Sequence, residues 1–264
     1  MNNLPPWGRA CLCFALTIAA GLIVGLAFGP VFEDAGFWIL GIVSMLMYLG
    51  YFLVFVMFRK TVERQDYLFR MKPTNAVISG ALGLVCIAGF MLVQFAAIDL
   101  FALMGYDTGR DTPVTSINNF GRYVMAVFTM AVLPAVVEEL IFRGVIFKEF
   151  KKHNVILAIL ASSLMFAAFH LTLVQFVYQF ILGVVLAFVY MRTGNLIHAI
   201  ILHFVNNFFI ITYTFIAGSD QMLYCWDAMT IVTAILLAVV GTATIISLVV
   251  GLKKEAHATA PADE

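Results

Sequence analysis

Long apolar runs separated by short polar clusters dominate the chain, and their lengths predict membrane-crossing helices. Ala10 to Phe32 is uncharged and about 23 residues long, enough to cross a bilayer with some tilt. It outruns the apolar region of a cleaved leader, and Glu33-Asp34 follow without a small-residue cleavage site, so it reads as a retained span. Gly36 to Phe58 and Asn75 to Ile98 are two further spans, and a fourth runs from Arg122 to Phe147. Asn154 to Phe169 and Leu173 to Met191 are short, with an uncharged connector near His170; Leu196 to Ile216 and Asp227 to Leu252 complete the set. The expected fold class is all-α, a polytopic membrane bundle of about eight transmembrane helices around a polar intramembrane cavity.

The connectors are less decisive. Arg59 to Lys72 mixes charged and apolar residues, which suits either a surface helix along the headgroups or a solvated loop. Asp99 to Gly121 is polar and turn-rich, a lid or a plain connector. Gly21, Gly25 and Gly29 recur every fourth residue and predict a smooth face for helix packing. Three regions result: residues 1–121 with three helices and the charged connector, a core over 122–216, and 217–264 with the last helix and a polar tail.

The basic residues test this arrangement, because alternate loops should hold them. One set of loops and the termini carry Arg9, Arg59, Lys60, Arg64, Arg70, Lys72, Lys148, Lys151, Lys152, Arg192, Lys253 and Lys254; the other set carries only Arg110 and Arg122. Both termini are therefore expected in the cytoplasm. Composition agrees with the membrane assignment: 63% of residues are hydrophobic, 11% are charged, and the mean hydropathy is +1.01. The formal net charge of zero gives no basis for a nucleic-acid partner. Cys11, Cys13, Cys86 and Cys225 form no C-x-x-C pair, so neither a disulfide framework nor a zinc ribbon is implied.

Against this background Val137-Glu138-Glu139-Leu140-Ile141-Phe142-Arg143 stands out, since its charges lie in an otherwise uncharged run. A charge at bilayer depth costs about 2.5–3.5 kcal/mol even on the lenient insertion scale, so compensation is required. Glu139 and Arg143 share a helix face with the acid N-terminal to the base, the better order for an ion pair. Glu138 lies about 100° around the helix and faces another neighbour. A structural ion-pair network that locks two helices together would use the same charges. Two more polar sites fall within apolar spans: His170 ends Phe166-Ala-Ala-Phe-His170, and His203 and Asn207 lie one turn apart. A lone intramembrane histidine is often a packing residue, so the three sites weigh more together than singly. His198 is about 140° away from His203 around its helix, while Gln175, Gln179, Asn195 and Asn206 suit helix-packing hydrogen bonds better than chemistry.

Together E-E-x-x-x-R at Glu138, Glu139 and Arg143, F-x-x-x-H at Phe166 and His170, and H-x-x-x-N at His203 and Asn207 resemble the CPBP family of intramembrane endopeptidases. That family includes the type II CAAX prenyl proteases and bacteriocin-processing or self-immunity proteins. The resemblance covers Val132 to Asn207, including Phe142-Arg143-Gly144. It implies that Glu138 and His170 activate a water, that His203 and Asn207 stabilise the oxyanion, and that Arg143 holds Glu139 in a supporting role. The implied substrate is a membrane-associated peptide or protein. The apolar spans place the chain in contact with the lipid bilayer as an integral membrane protein, and a short chain with no targeting extension suggests the bacterial inner membrane.

Several readings stay open on sequence alone. A zinc-dependent version of the same protease would use Glu138, His170 and His203 as ligands. The metal-free glutamate version, with no cofactor, is favoured, because no H-E-x-x-H supplies a separate base. Intramembrane Glu, Arg and His also suit a proton-coupled transporter or channel, and a non-catalytic immunity or partner-binding protein could present the same cavity. Counting about 1.5 Å per residue from the nearest basic ends puts Glu138 and His203 at similar depth and His170 deeper. A tilted hairpin of the fifth and sixth spans ending inside the protein, closing one end of the cavity, would reconcile them.

Overall fold

A computed structural model describes residues 4–32, 37–58, 73–105 and 117–217, with parts of 231–246. Among the described residues the regular structure is entirely helical. Helix α1 runs Pro6–Phe32, α2 Phe37–Phe58 and α3 Pro73–Leu103. Helix α4 is a continuous rod over Phe120–Lys151, followed by α5 over Val155–Phe169, α6 over Leu173–Thr193 and α7 over Leu196–Ala217. Among the described residues, five helices are long and apolar enough to cross a membrane: Pro6–Phe28, Phe37–Phe58, Phe120–Lys151, Gln175–Thr193 and Leu196–Ile216. Thr74–Gly89, Val155–Phe169 and Ile231–Ala243 are shorter apolar helices at the places of the other three expected spans. The connector Arg59 to Lys72 and the polar tail lie outside the described residues.

Helix ends follow from local chemistry. The Asn119 side chain accepts from Arg122 N at 3.0 Å to open α4. Asn154 accepts from Ile156 N and Leu157 N at 2.7 and 3.1 Å to open α5, satisfying donors that have no partner within the helix. Gly194, at φ 63°, closes α6 in the left-handed conformation that glycine adopts without steric cost. Helix α3 continues past Asp99, where the sequence suggested that a loop begins, because Leu100 to Leu103 keep it apolar; the chain turns instead at Gly105, φ 76°.

Helix α4 is the axis of the molecule. It contains π-helical turns over Phe128–Val132 and Phe142–Ile146. The first ends two residues before Pro134, whose ring would collide with the carbonyl four residues back, that of Met130 within the turn, in a regular helix, so the wider turn accommodates it. The second begins just after the two glutamates and contains Arg143. Such turns concentrate at functional sites. Helices α1 and α2 pack on one side of α4, α5 and α7 pack against other parts of it, α6 packs on α5 and α7, and α3 lies outside against α6 and α7. The close approach of α5 and α6 depends on Gly183, where a Cβ would come within 3.0 Å of Ser163 Cα and Cβ. Outward-facing Leu22, Ile23 and Leu26 on α1 and Ile42, Leu49 and Leu53 on α2 are exposed, as side chains against hydrocarbon require. The expected glycine face of α1 is used in part: Tyr51 of α2 packs directly against Gly21, whereas Gly25 has open space around it.

Candidate active site

The middle of α4 carries both glutamates into the interior, where Glu138 is 3% and Glu139 0% exposed. Glu139 carries its bonds on one oxygen. Its Oε1 accepts from Arg143 Nη1 at 2.8 Å and from His203 Nδ1 on α7 at 2.9 Å, while Oε2 has no hydrogen-bond partner among the described residues. Arg143, the largest fully buried side chain, also donates from Nη2 to the Gly183 carbonyl at 3.0 Å, and its guanidinium lies 4.7 Å from the centre of the Phe166 ring. The guanidinium is thus held by a carboxylate, a carbonyl and a ring face, partners from α4, α6 and α5, which together offset its removal from water.

Glu138 is held differently. Tyr48 of α2 donates its hydroxyl to Glu138 Oε1 at 2.9 Å. The other oxygen, Oε2, is buried without a hydrogen-bond partner among the described residues, and His203 Nε2 stands 3.9 Å from it, too far for a direct bond. His203 therefore spans both carboxylates, with Nδ1 on Glu139 and Nε2 turned toward Glu138. Two adjacent residues of like charge acquire different surroundings. The charge of Glu139 is balanced by a bonded guanidinium, whereas among the described residues Glu138 bonds a neutral phenol alone and keeps its open oxygen on the side of the His203 ring.

His170 caps the end of α5, and its Nδ1 lies 2.9 Å from the Phe166 carbonyl. A carbonyl only accepts, so Nδ1 carries the proton of this bond and Nε2 of the neutral ring carries the lone pair. The next residue, Leu171, adopts φ 53°, a left-handed conformation that costs a side chain with a Cβ roughly 1–2 kcal/mol. Phe166 joins the parts: its ring meets His170 edge-on at 5.0 Å and His203 at 5.6 Å, besides covering Arg143.

Asn207 sits one turn beyond His203 on α7, and its Oδ1 accepts from Asn206 Nδ2 at 3.0 Å. Asn206 also donates to the Tyr178 hydroxyl of α6 at 2.5 Å, a helix-packing bond. His198 pairs with Ser79 of α3 at 2.7 Å, away from the glutamates. Glu138, Glu139, Arg143 and His203 thus form one directly bonded or facing group, His170 joins it through Phe166, and Asn207 adjoins it along α7. Sequence reasoning missed Tyr48 and the ring of Phe166 as a junction. A phenol inside an uncharged span needs a partner, but its identity depends on how α2 packs. Among the described residues no three His, Cys, Asp or Glu side chains converge as a metal-ligand set.

Comparison with known proteins adds one match. Residues 120–209 match the family model described as Type II CAAX prenyl endopeptidase Rce1-like. The matched stretch begins with α4 and ends within α7, so it contains every residue of the group above except Tyr48. No curated protein and no solved structure matches the chain. The apolar helices and the family match together indicate an integral membrane protein.

Proposed function

We propose that this chain is an intramembrane endopeptidase that hydrolyses a peptide bond in a membrane-associated peptide or protein, with Glu138 and His170 activating the attacking water. The observation that carries the reading is the setting of Glu138, a buried carboxylate with Oε1 bonded to the Tyr48 phenol and Oε2 open toward His203. Water bound at Oε2 loses a proton to Glu138 as its oxygen attacks the carbonyl carbon. His170, with Nδ1–H on the Phe166 carbonyl, offers Nε2 as the second acceptor that orients this water. The negative charge then develops on the carbonyl oxygen. His203, donating from Nε2 as the imidazolium while Nδ1–H rests on Glu139, and the Asn207 amide are the donors assigned to it. Because Asn207 Oδ1 already accepts from Asn206, its amide hydrogens are directed elsewhere. The proton on Glu138 passes to the leaving amine as the C–N bond breaks, which restores the carboxylate.

Glu139 and Arg143 support the site by fixing His203, which bonds Glu139 from Nδ1. Among the described residues the donors do not converge as three metal ligands, and every step above is assigned to side chains of the chain itself. For topology, Arg9 at the start of α1 bonds Glu149 near the end of α4 at 2.8 Å, so these ends share one face. The excess of Lys and Arg in the loops of that parity supports placing it, with the termini, in the cytoplasm.

The test is cleavage of a peptide library by the purified chain in detergent micelles, comparing wild type with Glu138→Gln and His170→Ala. The reading expects site-selective cleavage by wild type, reduced at least about 100-fold in both variants. Equal cleavage by Glu138→Gln would refute it.

A further inference from the structure

We propose that Tyr48 is a positioning residue for Glu138, and that α1 and α2, which lie outside residues 120–209, complete the site through it. The inference rests on the glutamate reading for its consequence in catalysis, but the contact itself stands on geometry. A carboxylate accepts only, so the Tyr48 hydroxyl must be the donor in its 2.9 Å bond to Glu138 Oε1. The terminal torsion of a glutamate is broad and nearly two-fold, so an unheld carboxylate would present either oxygen over a range of angles. A charge-assisted bond to one oxygen fixes the plane and leaves Oε2 on the side of His203.

The phenol is itself held. Tyr51 meets Tyr48 edge-on at 5.5 Å and meets Phe169 at 5.2 Å, and Phe169 in turn touches the His170 ring at 5.6 Å. The hydroxyl end of Tyr51 occupies the space that a side chain at Gly21 of α1 would fill. One aromatic brace therefore starts at a glycine of α1, passes through α2, and sets both the carboxylate of Glu138 and the imidazole of His170. A phenol buried only for packing would also need a hydrogen-bond acceptor. The two roles differ in what the hydroxyl's removal does: a packing bond changes stability, a positioning bond changes turnover.

Tyr48→Phe keeps the ring and removes only the hydroxyl. Tyr123→Phe is the control, since it removes another phenol contact within the bundle, the 3.0 Å bond to Thr212 near the start of α4. Three readouts are taken on the full chain in detergent: kcat and KM for peptide cleavage, the thermal unfolding midpoint, and the carboxylate stretching band of Glu138. That band is read by isotope-edited infrared spectroscopy and assigned by its loss in Glu138→Gln. The proposal expects Tyr48→Phe to lower kcat about 10- to 100-fold with KM within about three-fold of wild type, and to shift the band. Tyr123→Phe should do neither. Unchanged kcat in Tyr48→Phe, or the same loss in both variants, overturns the proposal. Should wild type cleave no peptide, that failure belongs to the protease reading, and the band alone decides the positioning role: a shift in Tyr48→Phe upholds it, an unmoved band overturns it.

Discussion

Glu138 and Glu139 are neighbours in sequence, yet their surroundings differ, and the proposed function gives them different work. Glu139 shares Oε1 between Arg143 and His203, which makes it a fixed part of the scaffold. Arg143→Met would leave two buried carboxylates, Glu138 and Glu139, facing the single His203 imidazolium, and the expected cost is about 3–5 kcal/mol, read as a lower unfolding midpoint in detergent. Arg143→Lys should recover only part of this, because an ammonium cannot reproduce the paired bonds to Glu139 and the Gly183 carbonyl. Asn207 carries the opposite expectation: Asn207→Ala should reduce kcat about 10²- to 10³-fold as one oxyanion donor is lost, with little change in unfolding. An unaltered kcat in Asn207→Ala would remove it from the proposed oxyanion site. The ion pair of Glu139 and Arg143 was legible from their spacing, since both sit on one helix face. Tyr48 was not, because its partner is set by the packing of α2 on α4, which no local pattern encodes.

Helix geometry explains how these side chains converge. The π-helical turn over Phe142–Ile146 widens α4 where Arg143 must reach Glu139, Gly183 and Phe166 at once. Neither such turn was visible in the sequence, because one extra residue in a turn leaves no mark on the composition of a predominantly apolar run. The start of α5 and the end of α6 have local causes, since the Asn154 side chain caps one and Gly194 closes the other in the left-handed conformation. At Leu171 the sequence hides the turn, with leucine standing where glycine is usual. Leu171→Gly should therefore stabilise the fold by up to about 1 kcal/mol, checked by thermal unfolding. Gly183→Ala is expected to destabilise by about 1–3 kcal/mol, because its Cβ would press on Ser163 backbone and side chain at 3.0 Å. It should also lower turnover, since the displaced carbonyl is the one Arg143 holds.

For the whole molecule, the Arg9–Glu149 contact places the beginning of α1 and the end of α4 together, and Lys152 is a second partner of the buried Glu149 at 2.9 Å. Loop parity then predicts that Gly105 and Lys151 face opposite sides. Cysteines introduced singly at those positions should react with an impermeant reagent from opposite faces of sealed vesicles; labelling from one face would refute the topology. The polytopic helical architecture was legible in the apolar runs, and five of the described helices have the length to span a membrane. Assembly of the helices around α4 was not, because apolar surfaces of similar character give no sequence signal for which pairs meet. The most direct test of the central claim, that Glu138 serves as a base without a metal, is peptide cleavage by the purified chain after exhaustive chelation, with Glu138→Gln beside it and zinc added back. The account predicts cleavage that chelation leaves intact, zinc does not raise, and Glu138→Gln abolishes. Cleavage lost on chelation and restored by zinc would contradict it.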